Sequence, residues 1–261
     1  MPNHKIIEFI EWDKKNPSSS SWVSPTHRYF FVGLGKTAST RIKLSLHLLE
    51  GYEIMETPFP WLHARANTDT SFVPKLSDFD PAKAAEVLTS PEWFRFCFVR
   101  NPYSRLFAAY KMFIMQEVNP PSSYYNNIKA RIRGKYDYTR RAGRPDATVS
   151  FRDFVRYVQE TLGQEQDYHW CSMRWGLRPD LIKYNLVGSF ENFNHDFRLV
   201  LQRLGVNDEL MPALLEPVNQ SDAKHISLAA VYDWDLADQV YALYKDDFET
   251  YGYEKNSWLF A

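Results

Sequence analysis

The sequence predicts a three-layer α/β fold with a mainly parallel central sheet. Two observations carry that expectation. The strand-like runs are apolar along their length instead of alternating, the pattern of strands covered on both faces. They also alternate with segments whose apolar residues recur at helical spacing. The first strand is expected at Tyr29–Val32 and the first helix at about Thr37–Leu49, where Ile42, Leu46 and Leu49 keep helical spacing and Leu44 and Leu48 widen the face. Residues 51–80 mix prolines, aromatics and short extended pieces, and read as a loop lining a cleft. Pro81 suits the first turn of a helix, with Asp80 as its cap. A second apolar strand, Phe94–Val99, precedes a helix from about Pro102 to Glu117. Between Asn119 and Arg144 the periodicity fails, and the basic cluster Lys129, Arg131, Arg133, Lys135, Arg140, Arg141 and Arg144 stands there. That stretch is either a solvated surface loop or a lid that attracts an acidic ligand. Ser150 and Asp153 open a helix carrying Phe151, Phe154, Val155, Val158 and Leu162. Tyr184–Val187 reads as a strand, and helices are expected near Phe193–Leu204 and Ala229–Tyr251. Residues 1–25 read as an irregular lead-in, and 26–261 as one domain with a basic loop insertion at about 119–149.

Composition narrows the function classes. The 261 residues suffice for one sizeable core, and 44% hydrophobic with 24% charged residues is a globular balance. A formal net charge of -1 argues against nonspecific nucleic-acid binding. Cys97 lies in a strand-like run and Cys171 in a polar turn, so neither a disulfide framework nor a metal-ligand spacing is present. A reducing compartment is expected. The opening MPNHKIIEFIEWDKK has no secretory apolar region, and no apolar run approaches bilayer length. A soluble, cytoplasmic protein with no membrane partner is the expectation.

Two loops carry the chemistry. In YFFVGLGKTASTRIKLSLHLL, from Tyr29, strand, turn and helix aim backbone N–H groups, Lys36 and the hydroxyls of Thr37, Ser39 and Thr40 at one point, with Gly33 and Gly35 in the turn. Phosphate and sulfate are held this way. Alone, GLGKT is equally a glycine-rich surface turn with a chance lysine. A nucleoside triphosphatase loop would need glycine where Phe30 stands, and no strand-borne magnesium-binding acid follows. The second loop, in FRFCFVRNPYSRLFAAYK from Phe94, puts Arg100 at the carboxyl end of a strand, where open α/β sheets bind ligands. Arg105 follows in the helix and either joins the anion site or forms a structural ion pair. Two anion cradles imply a ligand charged at both ends.

GKTAST at Gly35–Thr40 and FVRNPYSRLFAAYK at Phe98–Lys111 resemble the two sulfonate-donor motifs of the membrane-type carbohydrate sulfotransferases, including the HNK-1-like and heparan sulfate 2-O groups. DYHW at Asp167–Trp170, YNLVGSFENFNHDF at Tyr184–Phe197, VNQS at Val218–Ser221 and YKDDFETYGY at Tyr244–Tyr253 extend the likeness over most of residues 27–253. The resemblance implies a P-loop-like sulfotransferase fold. It also implies the donor 3′-phosphoadenosine 5′-phosphosulfate (PAPS), the product adenosine 3′,5′-bisphosphate (PAP), and metal-free transfer to a hydroxyl. Family members usually sit behind a Golgi membrane anchor, which this chain lacks, so a cytosolic relative is expected.

The resemblance implies that Gly35, Lys36, Thr37, Ala38, Ser39 and Thr40 wrap the 5′-phosphosulfate. Lys36 would stand beside the bridging oxygen, neutralising charge as it develops. Arg100 would grip the 3′-phosphate with its rigid fork, with Ser104 and Arg105 close by in the same motif. Ala108 stands where the usual motif has a serine, which removes one donor; Ser104 either compensates or faces water. Transfer also needs a group to take the acceptor proton. His63, in PWLHARANT, occupies the place where the heparan sulfate 2-O group puts its catalytic histidine, and His169 in DYHW is its rival. Glu56 is a remoter base. Trp61 and Trp170 either stack on a sugar or pack in a core. His195 and His225 read as ordinary surface residues. The expected acceptor is a carbohydrate or glycosylated metabolite, with the basic segment hinting that it is anionic. Two other readings stand beside this one: a sulfotransferase for a non-carbohydrate alcohol, and a non-catalytic protein that binds nucleotides or sulfated glycans.

Overall fold

The apolar runs pair into one sheet. A computed structural model describes residues 4–15, 20–52, 73–115, 123–135, 149–162, 167–215 and 226–260. In it β1 (Ser20–Ser24), β2 (Tyr29–Gly33), β3 (Phe94–Val99) and β4 (Leu186–Ser189) lie side by side in that order. β1 runs antiparallel to β2, and β2, β3 and β4 are parallel. Every residue of β2 and β3 is buried, which is why both read as unbroken apolar runs. The helices, in chain order, begin with α1 (His4–Lys15), α2 (Ser39–Leu49), α3 (Pro81–Thr89), α4 (Pro102–Tyr110), α5 (Ser123–Lys135) and α6 (Phe151–Thr161). They continue with α7 (Met173–Leu177), α8 (Phe193–Arg203), α9 (Met211–Leu215), α10 (Trp234–Leu243) and α11 (Lys245–Tyr251). The chain is thus α/β, with a mostly parallel sheet flanked by helices. Among the described residues no helix is long and apolar enough to cross a membrane.

Two compact units share the chain, one drawn from residues 1–100 and 173–222, the other from 101–172 and 223–261. The first contains the whole sheet. Side chains at alternate positions, Tyr29, Phe31, Phe94, Phe96 and Phe98, pack with Ile42 and Leu46 of α2 and Phe197, Val200 and Leu201 of α8. Rings stack along this face, Phe31 on Phe96 at 5.0 Å and Phe94 on Phe96 at 5.5 Å. On the opposite face Phe30 meets Phe9 of α1 edge-on at 6.0 Å. Arg95, also in β3, donates to the carbonyls of Val87, Ser90 and Lys183. Its charge serves the backbone at the end of α3. Gly188 of β4 lies opposite Phe98, where a Cβ would stand 2.5 Å from the ring. Glycine therefore lets Phe98 lie across β4 and meet Phe193 and Phe197, at 5.4 and 6.1 Å.

The second unit is helical, its core built from Tyr103, Phe107, Phe113, Phe154, Tyr232 and Phe248 with their neighbours. α6 opens with the expected cap: Ser150 Oγ accepts from the Asp153 amide and Asp153 accepts from the Ser150 amide, both at 3.2 Å.

Some expectations fail for physical reasons. The lead-in 1–25 contains α1 and β1, because Ile6, Phe9, Ile10 and Asp13 form a buried stripe at helical spacing inside a charged segment. Asp13 is buried because Ser21 Oγ and the Ser77 amide donate to it. In the basic segment, residues 123–135 are helix α5, held by Ile128 and Ile132 one turn apart in the core. The helix expected over Pro102–Glu117 is α-helical to Tyr110 and then makes a π turn, Lys111–Met115. The single helix expected over Ala229–Tyr251 is a 3₁₀ turn followed by α10 and α11, which break at Tyr244.

Candidate functional site

The loop between β2 and α2 is built by sterics at both ends. A Cβ on Gly33 would stand 2.8 Å from the Phe31 ring and 3.2 Å from Ser39 Cβ, so only glycine lets the chain turn back here. Leu34 is buried against Gly176 of α7, where a Cβ would lie 2.5 Å from its Cδ2. Gly35 is buried as well. Left-handed backbone falls on Lys36 (φ 69°) and Ala38 (φ 64°), and on neither Gly33 nor Gly35. Such strain costs about 1–2 kcal/mol per residue, and it gathers at functional turns. Left-handed residues in a turn aim successive N–H groups to one side, the concavity that takes anions. Ala38 stands at the cap position of α2 and has no side-chain acceptor to offer the first-turn amides. Those amides suit an oxyanion. Thr37 is buried and its hydroxyl donates to the Leu34 carbonyl at 3.0 Å, so the residue's contribution to an anion is its amide. Ser39 is buried in the first helical turn, and Lys36 and Thr40 are half-buried.

Arg100 leaves the carboxyl end of β3 beside this loop. Its Nη1 donates to the Lys36 carbonyl at 3.2 Å, and its guanidinium lies 3.9 Å over the ring of Phe190, the residue after β4. The Phe190 amide donates to the Val99 carbonyl at 2.8 Å, which carries the parallel pairing one residue further. The two loops singled out in the sequence therefore meet at the carboxyl ends of three parallel strands.

In the other unit, α4 starts at Pro102 with Asn101 as its cap, accepting from the Tyr103 amide at 3.0 Å. Ser104 Oγ donates to the Asn101 carbonyl at 3.2 Å, and Arg105 is almost fully buried. The Arg105 guanidinium donates to the carbonyls of Cys171 (2.6 Å) and Tyr168 (3.2 Å), bracing the turn that carries His169. Asp167 Oδ1 accepts from the His169 amide at 2.8 Å and lies 3.0 Å from His169 Nδ1. The ring is held edge-on by Phe113 at 4.9 Å. A carboxylate at Nδ1 favours the tautomer protonated there, which leaves the lone pair on Nε2. Burial pushes the neighbouring Cys171 thiol up to about 11, against the opposing pull of Arg105. Trp170 is core: its ring meets Phe113 and Phe154 at 5.2 and 5.5 Å. His195 is a surface residue beside Asp196, as read.

His63, with Glu56, Trp61, His225, Arg140, Arg141 and Arg144, lies outside the described residues. Among the described residues no His, Cys, Asp and Glu cluster is placed to hold a metal ion. Sequence reasoning quoted the segments that contain Asp167 and Phe190 but gave neither residue a role. The stacking of Phe190 under Arg100 and the approach of Asp167 to the His169 ring are visible only in the structure.

Curated relatives match along most of the chain. It is 27% identical over 252 residues to carbohydrate sulfotransferase 10 of Xenopus laevis, an alignment covering 92% of this chain and 68% of that one. It is also 27% identical over 247 residues to carbohydrate sulfotransferase 11 of Mus musculus, covering 91% and 68%. Human carbohydrate sulfotransferase 10 is 26% identical over 251 residues, with the same coverage of 91% and 68%. No solved structure matches the chain significantly. The family model described as "Sulfotransferase family" matches residues 19–254, from the first strand of the sheet past the last α-helix, with both of these loops inside it. By that match the chain belongs to the sulfotransferase family.

Proposed function

We propose that this protein is a PAPS-dependent O-sulfotransferase acting on a hydroxyl of a carbohydrate or glycosylated metabolite. The observation that carries the reading is the bond from Arg100 Nη1 to the Lys36 carbonyl, which joins the two donor-motif loops at one end of the sheet. The printed names of the relatives, carbohydrate sulfotransferases 10 and 11, support the acceptor class. So do the DYHW segment, which resembles the HNK-1-like group, and YNLVGSFENFNHDF, which resembles the carbohydrate sulfotransferases more broadly.

PAPS supplies the sulfuryl group. Residues 35–40 would hold its 5′-phosphosulfate through the amides of a loop in which Lys36 and Ala38 are left-handed. The Lys36 ammonium would stand beside the bridging oxygen of the bound donor and offset the charge that develops there, an interaction that strengthens toward the transition state. Arg100 takes the 3′-phosphate, and Arg105 braces the His169 turn. An imidazole accepts the acceptor proton as the acceptor oxygen attacks sulfur. His63 holds that role by resemblance. His169 is its rival, with Asp167 fixing the tautomer that has its base on Nε2. Positioning and charge stabilisation supply most of the rate, as in phosphoryl transfer.

A labelled-sulfate transfer screen over glycans and small hydroxylated metabolites tests the reading with wild type, Lys36→Ala, His63→Ala and His169→Ala side by side. Lys36→Ala is expected to lower turnover by about 10²–10³-fold. The true base should lose about 10²–10⁴-fold when truncated, with PAP affinity kept. A fully active His63→Ala assigns the proton to His169, and the reverse outcome assigns it to His63. Undiminished transfer by Lys36→Ala sinks the mechanism.

A further inference from the structure

Arg41 follows Thr40 directly and is the third residue of α2. Its guanidinium lies 4.4 Å over the ring of Phe193. Arg100 lies over Phe190 in the same way, and the Phe193 amide reaches the Phe190 carbonyl at 3.3 Å. The contacts close a ring: the first turn of α2, Arg41, Phe193, Phe190, Arg100, and back to the loop at Lys36. The stretch from the residue after β4 to the first residue of α8 thus carries two guanidinium groups, one from each of the two loops.

What else Arg41 touches is the unusual part. Its Nε and Nη2 are buried, and neither has a hydrogen-bond partner among the described residues. The hydrogens of these two nitrogens lie along one edge of the guanidinium plane. That edge takes two oxygens of one phosphate, sulfate or carboxylate side by side. Burial alone lowers the pKa of this guanidinium from its ordinary value. A cation in the first turn of a helix is also opposed by the helix dipole, and a buried donor left unpaired is costly. An oxyanion at the open edge offsets all three penalties.

We propose that Arg41 is a second guanidinium for the 3′-phosphate of the donor nucleotide. This inference rests on the PAPS reading above. The 5′ end already has the loop amides and Lys36, whereas the Phe190–Phe193 segment places Arg41 in series with Arg100. The same edge chemistry would suit an anionic group on the acceptor, and the test separates the two sources.

Calorimetry of wild type, Arg41→Gln and Arg41→Lys with PAP and with adenosine 5′-monophosphate (AMP), which lacks the 3′-phosphate, tests the assignment. Arg41→Gln should weaken PAP binding by about 10- to 100-fold and leave AMP binding within about twofold. Arg41→Lys keeps the charge but loses the fork, so PAP binding should weaken while the ligand-free fold is retained. The ligand-free melting temperature of Arg41→Gln should be no lower than that of wild type, because an uncompensated charge has been removed. A purely structural arginine would instead lower it. Unchanged PAP binding in both variants overturns the inference, as does equal loss of PAP and AMP. So does a defect seen only in the KM of an anionic acceptor, which moves Arg41 to the acceptor site. Wild type that fails to bind PAP overturns the donor reading itself, a result distinct from any of these.

Discussion

Lys36 occupies a backbone conformation that its own side chain disfavours. With φ at 69° its Cβ is strained, and glycine would remove that strain. A fold optimised for stability alone would put glycine there, whereas the proposed donor site requires the lysine. Lys36→Ala and Lys36→Gly should both lose transfer, but Lys36→Gly should be the more stable by about 1 kcal/mol, since alanine keeps the Cβ and glycine does not. Urea denaturation of the pair measures it, and equal midpoints would show that the turn is unstrained. Lys36 and Arg100 were legible in the sequence because each sits at a fixed step from a strand end. Arg41 was not. Its proposed role depends on a ring 152 positions away along the chain, Phe193, and on two buried nitrogens without a hydrogen-bond partner.

At the scale of elements, Gly188 shows how a strand positions the site. Its missing side chain leaves room for the Phe98 ring, which is itself fixed by Phe193 and Phe197. Gly188→Ala has no free space to move that ring into and should destabilise the protein by about 1–3 kcal/mol. A thermal melt reads the loss, and an unchanged midpoint would mean the β3–β4 face is looser than its geometry. The strands β2 and β3 were legible because burial on both faces leaves an unbroken apolar run. α1 was not, because eight of its twelve residues are solvent-facing or partly so and the stripe is only Ile6, Phe9, Ile10 and Asp13. α5 was hidden likewise under its basic residues, with Ile128 and Ile132 as its inward face.

For the whole molecule, burial has an alkaline consequence. Burial raises the pKa of Cys97 and Cys171, the latter to about 11, and it raises those of Tyr29, Tyr103, Tyr232 and Tyr244 as well. Unfolded thiols ionise near pH 9, so above that pH the unfolded chain has lost protons that the folded one retains. Stability is therefore full below about pH 9 and declines as pH rises toward about 11, with the tyrosines adding to the decline at its upper end. Urea midpoints measured from pH 8 to 11 should fall steadily, and both thiols should resist iodoacetamide at pH 8.5 until the protein unfolds. A flat midpoint, or rapid alkylation of the folded protein, contradicts the burial.

The sequence by itself determined the α/β class and the strand–turn–helix setting of the two loops that resemble donor motifs, because strand burial and turn chemistry are local and leave a pattern in neighbouring residues. Tertiary structure alone decided that Arg100 reaches the Lys36 carbonyl, that Phe190 and Phe193 carry the two guanidinium groups, and that Asp167 orients His169 under the brace of Arg105. Apart from the local approach of Asp167 to His169, these contacts join residues far apart in sequence. They exist only once non-contiguous stretches of chain have packed into the same unit.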